Sequence, residues 1–333
     1  MPDLPRILPH ALLSRAIVAL SPLGRRSQLS ILIYHRVVSE RDWMRPGVPT
    51  AEEFDWQMQL LRRYFTVLPL VEAAHLLKEG GLPSRTACVT FDDGYADNAT
   101  VALPVLQRHG IPATVFVAAG YLDGGRMWND TVVESLRRQN ADVLDLSAVG
   151  LPVYSTATAI SRRRAAYDII GRCKYLEVGR RREIVDRVAA YAGDLPDNLM
   201  LTTQQLLGLH RQRVEIGGHT FSHPILTRLS LDHAREEILR GKAELERITG
   251  APLRLFAYPN GRPEVDYSQN HVALVKDAGF EAAVSTHWGV AAHHSDPFQL
   301  PRFTPWDKSS AKFLLRLALN SRHVADHRGS QRC

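Results

Sequence analysis

Thr90-Phe91-Asp92-Asp93-Gly94-Tyr95 places two adjacent carboxylates at the end of an apolar run. Residues 87–91 have the composition of a short buried strand, and Gly94 allows the sharp turn by which a strand enters a loop. Neighbouring carboxylates repel each other and lose solvation on burial, so they need a cation or several hydrogen-bond donors nearby. The pair is therefore either a solvated turn or part of a site that holds positive charge.

A histidine pair further along the chain favours the second interpretation. Residues 214–217 predict a strand, and His219 and His223 follow it four residues apart, a spacing at which one turn brings two imidazoles to one ion. Pro224 opposes a helix here, so we predict a loop with a single turn. Two imidazoles and one carboxylate with open positions activate water on zinc or a similar ion, and a second carboxylate can take the proton.

The composition is that of a soluble globular protein. The chain has 333 residues, 45% hydrophobic and 23% charged, enough for one large α/β domain or two smaller ones. Its formal net charge of +6 accompanies no nucleic-acid motif, so no nucleic-acid partner is predicted. The three cysteines show no paired spacing, which predicts a reducing compartment without disulfides.

The N-terminal residues 1–28 predict no membrane span. The apolar stretch 12–24 is interrupted by Arg15 and is too short to cross a bilayer. Arg25 and Arg26 follow the apolar part, whereas a signal peptide has its charges before it. We expect an amphipathic helix or a loose tail, and a cytoplasmic protein that at most contacts a membrane peripherally.

Strands alternate with helices between residues 29 and 305, which predicts a parallel sheet with buried strands. Six or seven such units favour a barrel, with a doubly wound open sheet as the alternative. Residues 121–198 are rich in arginine and predict a mostly helical insertion. Residues 306–333 predict a C-terminal helix and tail, which would dock on the barrel or lie on a membrane.

The aspartate and histidine motifs together resemble those of the polysaccharide deacetylases, the NodB-homology proteins of carbohydrate esterase family 4. Ile33-Tyr34-His35-Arg36-Val37 and Phe256-Ala257-Tyr258-Pro259-Asn260-Gly261 resemble the opening strand and third motif of the exopolysaccharide-associated branch. The resemblance covers residues 31–303, apart from the insertion. It implies a distorted, TIM-like (β/α) barrel that hydrolyses a non-peptide carbon–nitrogen bond, removing N-acetyl groups from a polysaccharide or oligosaccharide. It also implies contact with polysaccharide-synthesis machinery.

The resemblance also assigns roles by position. Asp92 would be the general base, and Asp93, His219 and His223 would bind a divalent metal, usually zinc. The backbone N–H of Tyr258 would help to form the oxyanion hole. Five candidate residues fall just after the end of a predicted strand, where barrel enzymes place their chemistry: Asp92, Asp93, His219, Tyr258 and His35.

The sequence departs from the family pattern in two places. Phe256 and Ala257 stand where the third motif usually has an arginine, and either Arg302 or Arg254 would replace it beside Asp92. No segment matches the motif that supplies the family's catalytic acid. His35 is the candidate for protonating the leaving amine, or else a histidine that contacts the substrate. Surface loops are expected for His287, His293 and His294, and sugar-stacking or core positions for Trp128 and Trp288.

Three other functions compete with N-deacetylation. A catalytically degenerate member would bind a glycan or a partner without hydrolysis, consistent with the missing acid motif. An O-acetyl sugar esterase, or a deacetylase of lipid-linked saccharides, would use the same residues because only the leaving group or carrier differs. A structural metal site is disfavoured because such sites usually fill four positions with cysteine or histidine.

Overall fold

A curled sheet of parallel strands forms the centre of this computed structural model, which describes residues 28–320 and 323–324. Its strands are β1 (Leu29–Tyr34), β2 (Thr66–Val67), β3 (Thr86–Phe91), β4 (Ala113–Val117), β7 (Glu215–Gly218), β8 (Leu255–Ala257) and β9 (Ala282–Val284). They pair in the order β1-β3-β4-β7-β8-β9, and β2 pairs with the first residues of β3. The expected N-terminal helix and the last residues of the tail lie outside the described part.

The segment from Leu300 to Phe303 joins the two edges of the sheet. Leu300 exchanges backbone hydrogen bonds with Ala283 and Ser285, each of 2.9 Å. Phe303 donates to Ile31 and accepts from Ile33, at 3.0 Å each. The sheet therefore curls from β9 back to β1. The predicted distorted barrel is confirmed, and the doubly wound open sheet is wrong.

Helices cover the sheet where the apolar periodicity predicts them. They are α1 (Ala51–Tyr64), α2 (Leu70–Glu79), α3 (Leu103–His109), α4 (Trp128–Arg138), α5 (Ala159–Cys173), α6 (Val178–Ala189), α7 (Thr203–Arg211), α8 (Leu231–Thr249), α9 (Gln269–Asp277) and α10 (Ser310–Asn320). Helix α1 begins with the expected capping box, in which Thr50 Oγ1 accepts from the Glu53 N–H and Glu53 Oε2 accepts from the Thr50 N–H. Gly80 ends α2 with a φ of 76°.

Both faces of the sheet are buried, as parallel strands require. In β4, Val115 and Val117 belong to one apolar cluster, with residues of α1, α3 and α8, while Phe116 belongs to a second cluster that includes α2. Cys88 lies in the second cluster, and neither it nor Cys173 forms a disulfide. Alternate side chains thus anchor the sheet on both sides and hold the strand ends in place.

The insertion between β4 and β7 contains α4, α5 and α6 around a third apolar cluster. It also contains an antiparallel hairpin of β5 (Val143–Asp145) and β6 (Val153–Ser155), which the prediction of a mostly helical segment missed. Both strands have only three residues, and their outward side chains are exposed. In strands of three residues, the alternation of apolar and polar side chains is too short to distinguish the strand from a loop.

Helix α10 packs on the barrel through one face. Phe313, Leu314 and Leu317 are buried, and Phe313 meets Trp56 of α1 edge-to-face with ring centroids 5.6 Å apart. No helix in residues 28–320 is long and apolar enough to cross a membrane.

Candidate active site

The two predicted motifs meet at the carboxyl-terminal end of the sheet. Asp92 and Asp93 leave β3, His219 leaves β7, and β4 lies between these strands. The last residues of β4 hold both loops: the Val117 carbonyl accepts from the His219 N–H at 3.2 Å, and the Ala118 N–H reaches the Asp93 carbonyl at 3.4 Å. Strand order alone therefore brings together residues that are more than a hundred positions apart.

Asp93, His219 and His223 form a group of three potential metal ligands. The Nε2 atoms of His219 and His223 lie 3.4 and 3.3 Å from Asp93 Oδ1, and the ligand atoms are all within 4.8 Å of one another. Asp93 and His223 have left-handed φ angles of 77° and 57°, uncommon for residues with a Cβ. The histidine segment is an irregular loop, so these unusual angles, rather than a helical turn, bring the two imidazoles together.

The polar atoms of this group fit a bound cation. Asp93 Oδ1 is buried and has no hydrogen-bond partner among the described residues, and the two imidazole Nε2 atoms at 3.3 and 3.4 Å are its nearest polar neighbours in the ligand group. A buried carboxylate oxygen without a donor is costly. Two nitrogen ligands and one carboxylate match the donor set of catalytic zinc sites, which leave a position open. His219 Nδ1 lies 2.7 Å from the Ala257 carbonyl, which leaves Nε2 free to bind an ion.

The protonation states favour the same interpretation. Burial alone would raise the pKa of Asp93, but the nearby His223 and His219 outweigh it and hold that pKa well below its usual range. Burial lowers the pKa of His223 to about 4, against the opposing effect of Asp93. At neutral pH the group therefore offers an ionised carboxylate and a neutral His223 imidazole, the forms that bind metal. Burial lowers the pKa of His219 too, but Asp93 and Asp92 outweigh it and raise that pKa overall, so a metal would have to displace a proton from this imidazole.

Asp92 is held by Arg302, as one of the two predicted alternatives required. Arg302 Nη1 and Nη2 donate to Asp92 Oδ1 and Oδ2, both at 2.7 Å, and both side chains are almost fully buried. Burial raises the pKa of Asp92, but the charge and hydrogen bonds of Arg302 outweigh it and lower that pKa overall. The alternative Arg254 is wrong, because this residue precedes β8 and lies 4.0 Å from Glu281 at the other end of the strand.

Tyr258 does not offer the free N–H that the sequence predicted. Its N–H points to the Val284 carbonyl at 3.3 Å, continuing the β8–β9 ladder, and its ring stacks on Tyr267. Pro259 has no N–H, and Gly261 donates to the Pro259 carbonyl. Among the N–H groups of Tyr258–Gly261, only that of Asn260 lacks a partner in the described structure.

His35 follows β1 at the same end of the sheet and is exposed. It is close enough to influence the pKa values of Asp92, Asp93 and His223 electrostatically. Asn98 Nδ2 donates to its carbonyl at 2.9 Å, which holds the loop. Its position is compatible with contact to a bound substrate.

Two residues of α8 that support the histidine loop were not found from the sequence. Glu237 accepts from the N–H groups of Phe221 and Ser222 at 3.1 and 2.7 Å, and from Ser222 Oγ. Gly241 lets α8 approach, since a Cβ there would lie 2.6 Å from the Thr220 carbonyl. A glycine inside a long helix is itself a signal of close approach, and it was overlooked.

The buried Asp130 of the insertion was also overlooked. Tyr95 donates its hydroxyl to both Asp130 oxygens, at 3.1 and 3.0 Å, and Arg45 pairs with the same carboxylate. The Arg36 guanidinium lies 4.7 Å above the Tyr95 ring. Because Tyr95 follows Gly94 directly, this network connects the insertion to the aspartate loop.

The other candidate histidines and tryptophans do not belong to the ligand group found among the described residues. His293 Nδ1 is 3.1 Å from the Leu77 carbonyl, while His287 and His294 are exposed in loops. Trp128 stacks with Arg181 in a groove beside the histidine loop, and Trp288 is 40% exposed.

The family model described as "Polysaccharide deacetylase" matches residues 79–147 and 182–283, about half of the chain. The chain belongs to the polysaccharide deacetylase family. A relative whose name describes a polysaccharide deacetylase, YxkH of Bacillus subtilis, is 37% identical over 94 residues, which are 27% of this chain and 32% of that protein.

Solved structures share the polysaccharide deacetylase fold. The deacetylase PplD of Streptococcus pyogenes, solved with acetate, superimposes with a TM-score of 0.59 at 19% identity, covering 87% of this chain and 98% of PplD. IcaB of Ammonifex degensii gives 0.58 at 20% identity, covering 89% and 97%. At these identities the likeness establishes the fold, and the roles of individual residues rest on the geometry above.

Proposed function

We propose that this polysaccharide deacetylase family member is a metal-dependent hydrolase that removes N-acetyl groups from an N-acetylated polysaccharide or oligosaccharide. The observation that carries the proposal is the buried Asp93 Oδ1, which has no hydrogen bond and lies beside two imidazole Nε2 atoms. We propose Asp93, His219 and His223 as ligands of a divalent metal, with zinc as the expected ion. When bound, such an ion would polarise the acetamide carbonyl and lower the pKa of a water molecule.

The neighbouring carboxylate supplies the base. Asp92 is ionised and oriented by two hydrogen bonds from Arg302, and each carboxylate oxygen retains a lone pair for a proton. Arg302 is itself fixed by a hydrogen bond from Nε to the Ser285 carbonyl. Asp92 therefore accepts the proton of the attacking water without having to reorient.

Two further groups complete the proposed chemistry. The Asn260 N–H would donate to the developing oxyanion, because no other N–H in its turn is free. His35 would donate a proton to the leaving amine, since it is exposed at the mouth of the site. The saccharide would extend into the adjacent groove of about 620 Å³, lined by Tyr121, Trp128 and Ser222.

The test is acetate release from an N-acetylglucosamine oligomer, with and without a chelator, followed by addition of zinc. We expect Asp92→Asn to retain bound metal and to lose at least about 10²-fold in kcat, since general-base catalysis contributes this much. Asp93→Asn should lose the metal as well. Asp232→Asn, an exposed aspartate on α8, is the control and should keep full activity.

The competing functions give different results in the same assay. Saccharide binding without acetate release, in metal-loaded protein, would support a degenerate glycan-binding member and contradict the proposal. Release from O-acetylated but not N-acetylated saccharides would support the esterase. Undiminished turnover by Asp92→Asn would remove this residue from its proposed role.

A further inference from the structure

Helix α10 has a second face whose leucines are exposed in the described structure. Residues 312, 315, 316 and 319 follow one stripe, because positions three, four and seven apart share a helix face. Leu315 is 53% exposed and Leu319 is 43% exposed. The opposite face is buried on the barrel, so the outward leucines make no contribution to the core.

Two exposed tryptophans adjoin this stripe. Trp288 and Trp306 are 40% and 47% exposed, and their rings meet with centroids 5.5 Å apart. Trp288 and the stripe on α10 line a groove of about 320 Å³. Trp306 lies at the rim of this groove, where its ring contacts the Arg316 guanidinium. We call this surface the C-terminal patch, formed by Trp288, Trp306, Lys312, Leu315, Arg316 and Leu319. Four large exposed apolar side chains in one place are typical of an interaction site.

The cations in the C-terminal patch distinguish between kinds of partner. Lys312 has no ion pair in the described part of the chain, whereas Arg316 pairs with Asp307 and its guanidinium lies 4.8 Å from the Trp306 ring. Lys308 lies nearby and pairs with Glu53. Protein–protein interfaces are depleted of lysine. Lysine and arginine mixed with tryptophan and leucine are typical of helices that lie on a bilayer surface.

One member of the C-terminal patch, Trp288, lies close in the chain to the end of the sheet that carries the candidate active site. Trp288 follows the carboxyl-terminal end of β9, the end at which the catalytic loops emerge. The Arg302 N–H donates to the His287 carbonyl at 3.0 Å, while the Arg302 side chain holds Asp92. One short segment thus connects the patch to the site.

We propose that the C-terminal patch binds an anionic phospholipid bilayer and presents the active site to saccharides held at that surface. The tryptophans and leucines enter the boundary between headgroups and acyl chains, while Lys312, which has no ion pair in the described part of the chain, meets the lipid phosphates. The membrane contact stands independently of catalysis. The presentation of surface-bound saccharides to the active site rests on the proposed deacetylase function.

The experiment is co-sedimentation of the full chain with vesicles of phosphatidylcholine alone, or with about a third phosphatidylglycerol to supply negative charge. We expect binding to the anionic vesicles, weakened by salt. The double variant Leu315→Glu with Leu319→Glu should lower the partition coefficient at least about tenfold, because two apolar anchors are lost and two negative charges are added. Leu239→Glu on α8, where the leucine is 44% exposed, is the matched control and should bind as the parent does.

Three outcomes would overturn the proposal: absence of vesicle binding by the parent, equal loss in the Leu239→Glu control, and undiminished binding by the double variant. A dimer in light scattering that the double variant converts to a monomer, without vesicle binding, would instead assign the patch to a second copy. Acetate release from a soluble oligomer is measured on each protein. If the parent binds vesicles but releases no acetate, the proposed deacetylase function is contradicted and the proposed membrane contact is still supported.

Discussion

At the scale of single residues, the buried pair of Asp92 and Arg302 links the protonation of the site to its stability. Both charges are removed from water, and each depends on the other for compensation. Because the folded-state pKa of Asp92 is lowered, the pair stabilises the fold above the ordinary aspartate pKa. That contribution is lost as the pH falls through the lower folded-state value.

We predict that Arg302→Met lowers the free energy of unfolding by about 3–5 kcal/mol, the range for breaking a buried ion pair. The pKa of Asp92 should rise, because burial then acts without a compensating charge. The acid limb of the kcat/KM profile should therefore move to higher pH. Denaturant unfolding and a pH–rate profile measure the two effects, and the exposed Arg254→Met is the control.

The aspartates and histidines could be found from sequence because their types and spacing reflect a chemical need. Arg302 could be proposed as the partner of Asp92, because a buried carboxylate requires a cation and the third motif lacks its usual arginine. The free N–H at Asn260 could not be foreseen, since it depends on which backbone N–H groups donate to the carbonyls of β9. Glu237 was missed because a glutamate on a helix is usually exposed to solvent. The sequence does not show that its carboxylate accepts hydrogen bonds from the N–H groups of the histidine loop.

At the scale of elements, the histidine loop depends on how closely α8 approaches it. Gly241 stands beside the Thr220 carbonyl, and Glu237 lies one turn earlier on the same helix face. The approach is needed because His223 reaches its position through a left-handed backbone, which isolated loops rarely hold.

We predict that Gly241→Ala displaces the histidine loop and weakens metal binding at least about tenfold, the usual size for loss of support behind a ligand. Metal affinity measured by competition with a chelating dye tests this. Gly171→Ala in α5 is the matched control, because a Cβ there meets nothing within 4 Å. This control should gain up to about 1 kcal/mol of stability from helix propensity. Equal metal affinity in both variants would contradict the supporting role of α8.

The insertion contacts the aspartate loop through Asp130, which accepts the Tyr95 hydroxyl. Asp130→Asn removes the nearer of the two carboxylates that pair with Arg45, leaving Glu134 at 3.5 Å, and keeps an acceptor for Tyr95, so we expect a loss of about 1–3 kcal/mol in unfolding free energy. Metal affinity should fall as well, because Tyr95 continues the aspartate loop. Thermal unfolding and metal titration measure these effects. Asp168→Asn, in an exposed pair with Arg172, should leave both unchanged.

Helices were easier to predict than the smallest strands. Thr50 and Glu53 marked the start of α1 because capping chemistry is local. The hairpin of β5 and β6 was missed because its pairing, rather than its composition, defines it. The segment before α3 is a π-helix over Asn98–Ala102, whose wider turn leaves no mark in the apolar periodicity.

At the scale of the whole molecule, metal binding and folding should be coupled, because the ligand group exists only when β3, β4 and β7 are assembled. We predict that zinc raises the thermal midpoint of the parent by several degrees, since ligand at a hundred times its Kd adds about 2.7 kcal/mol. His223→Ala should show no such rise. Differential scanning calorimetry across a zinc series makes the measurement, and an equal rise in both proteins would place the stabilising ion elsewhere.

Asp92 and the arginine that holds it are separated by 210 positions in the chain. During synthesis, Asp92 is therefore made long before the arginine that neutralises it. A nascent chain that ends before residue 302 carries both signature motifs, yet its Asp92 has no arginine to orient it.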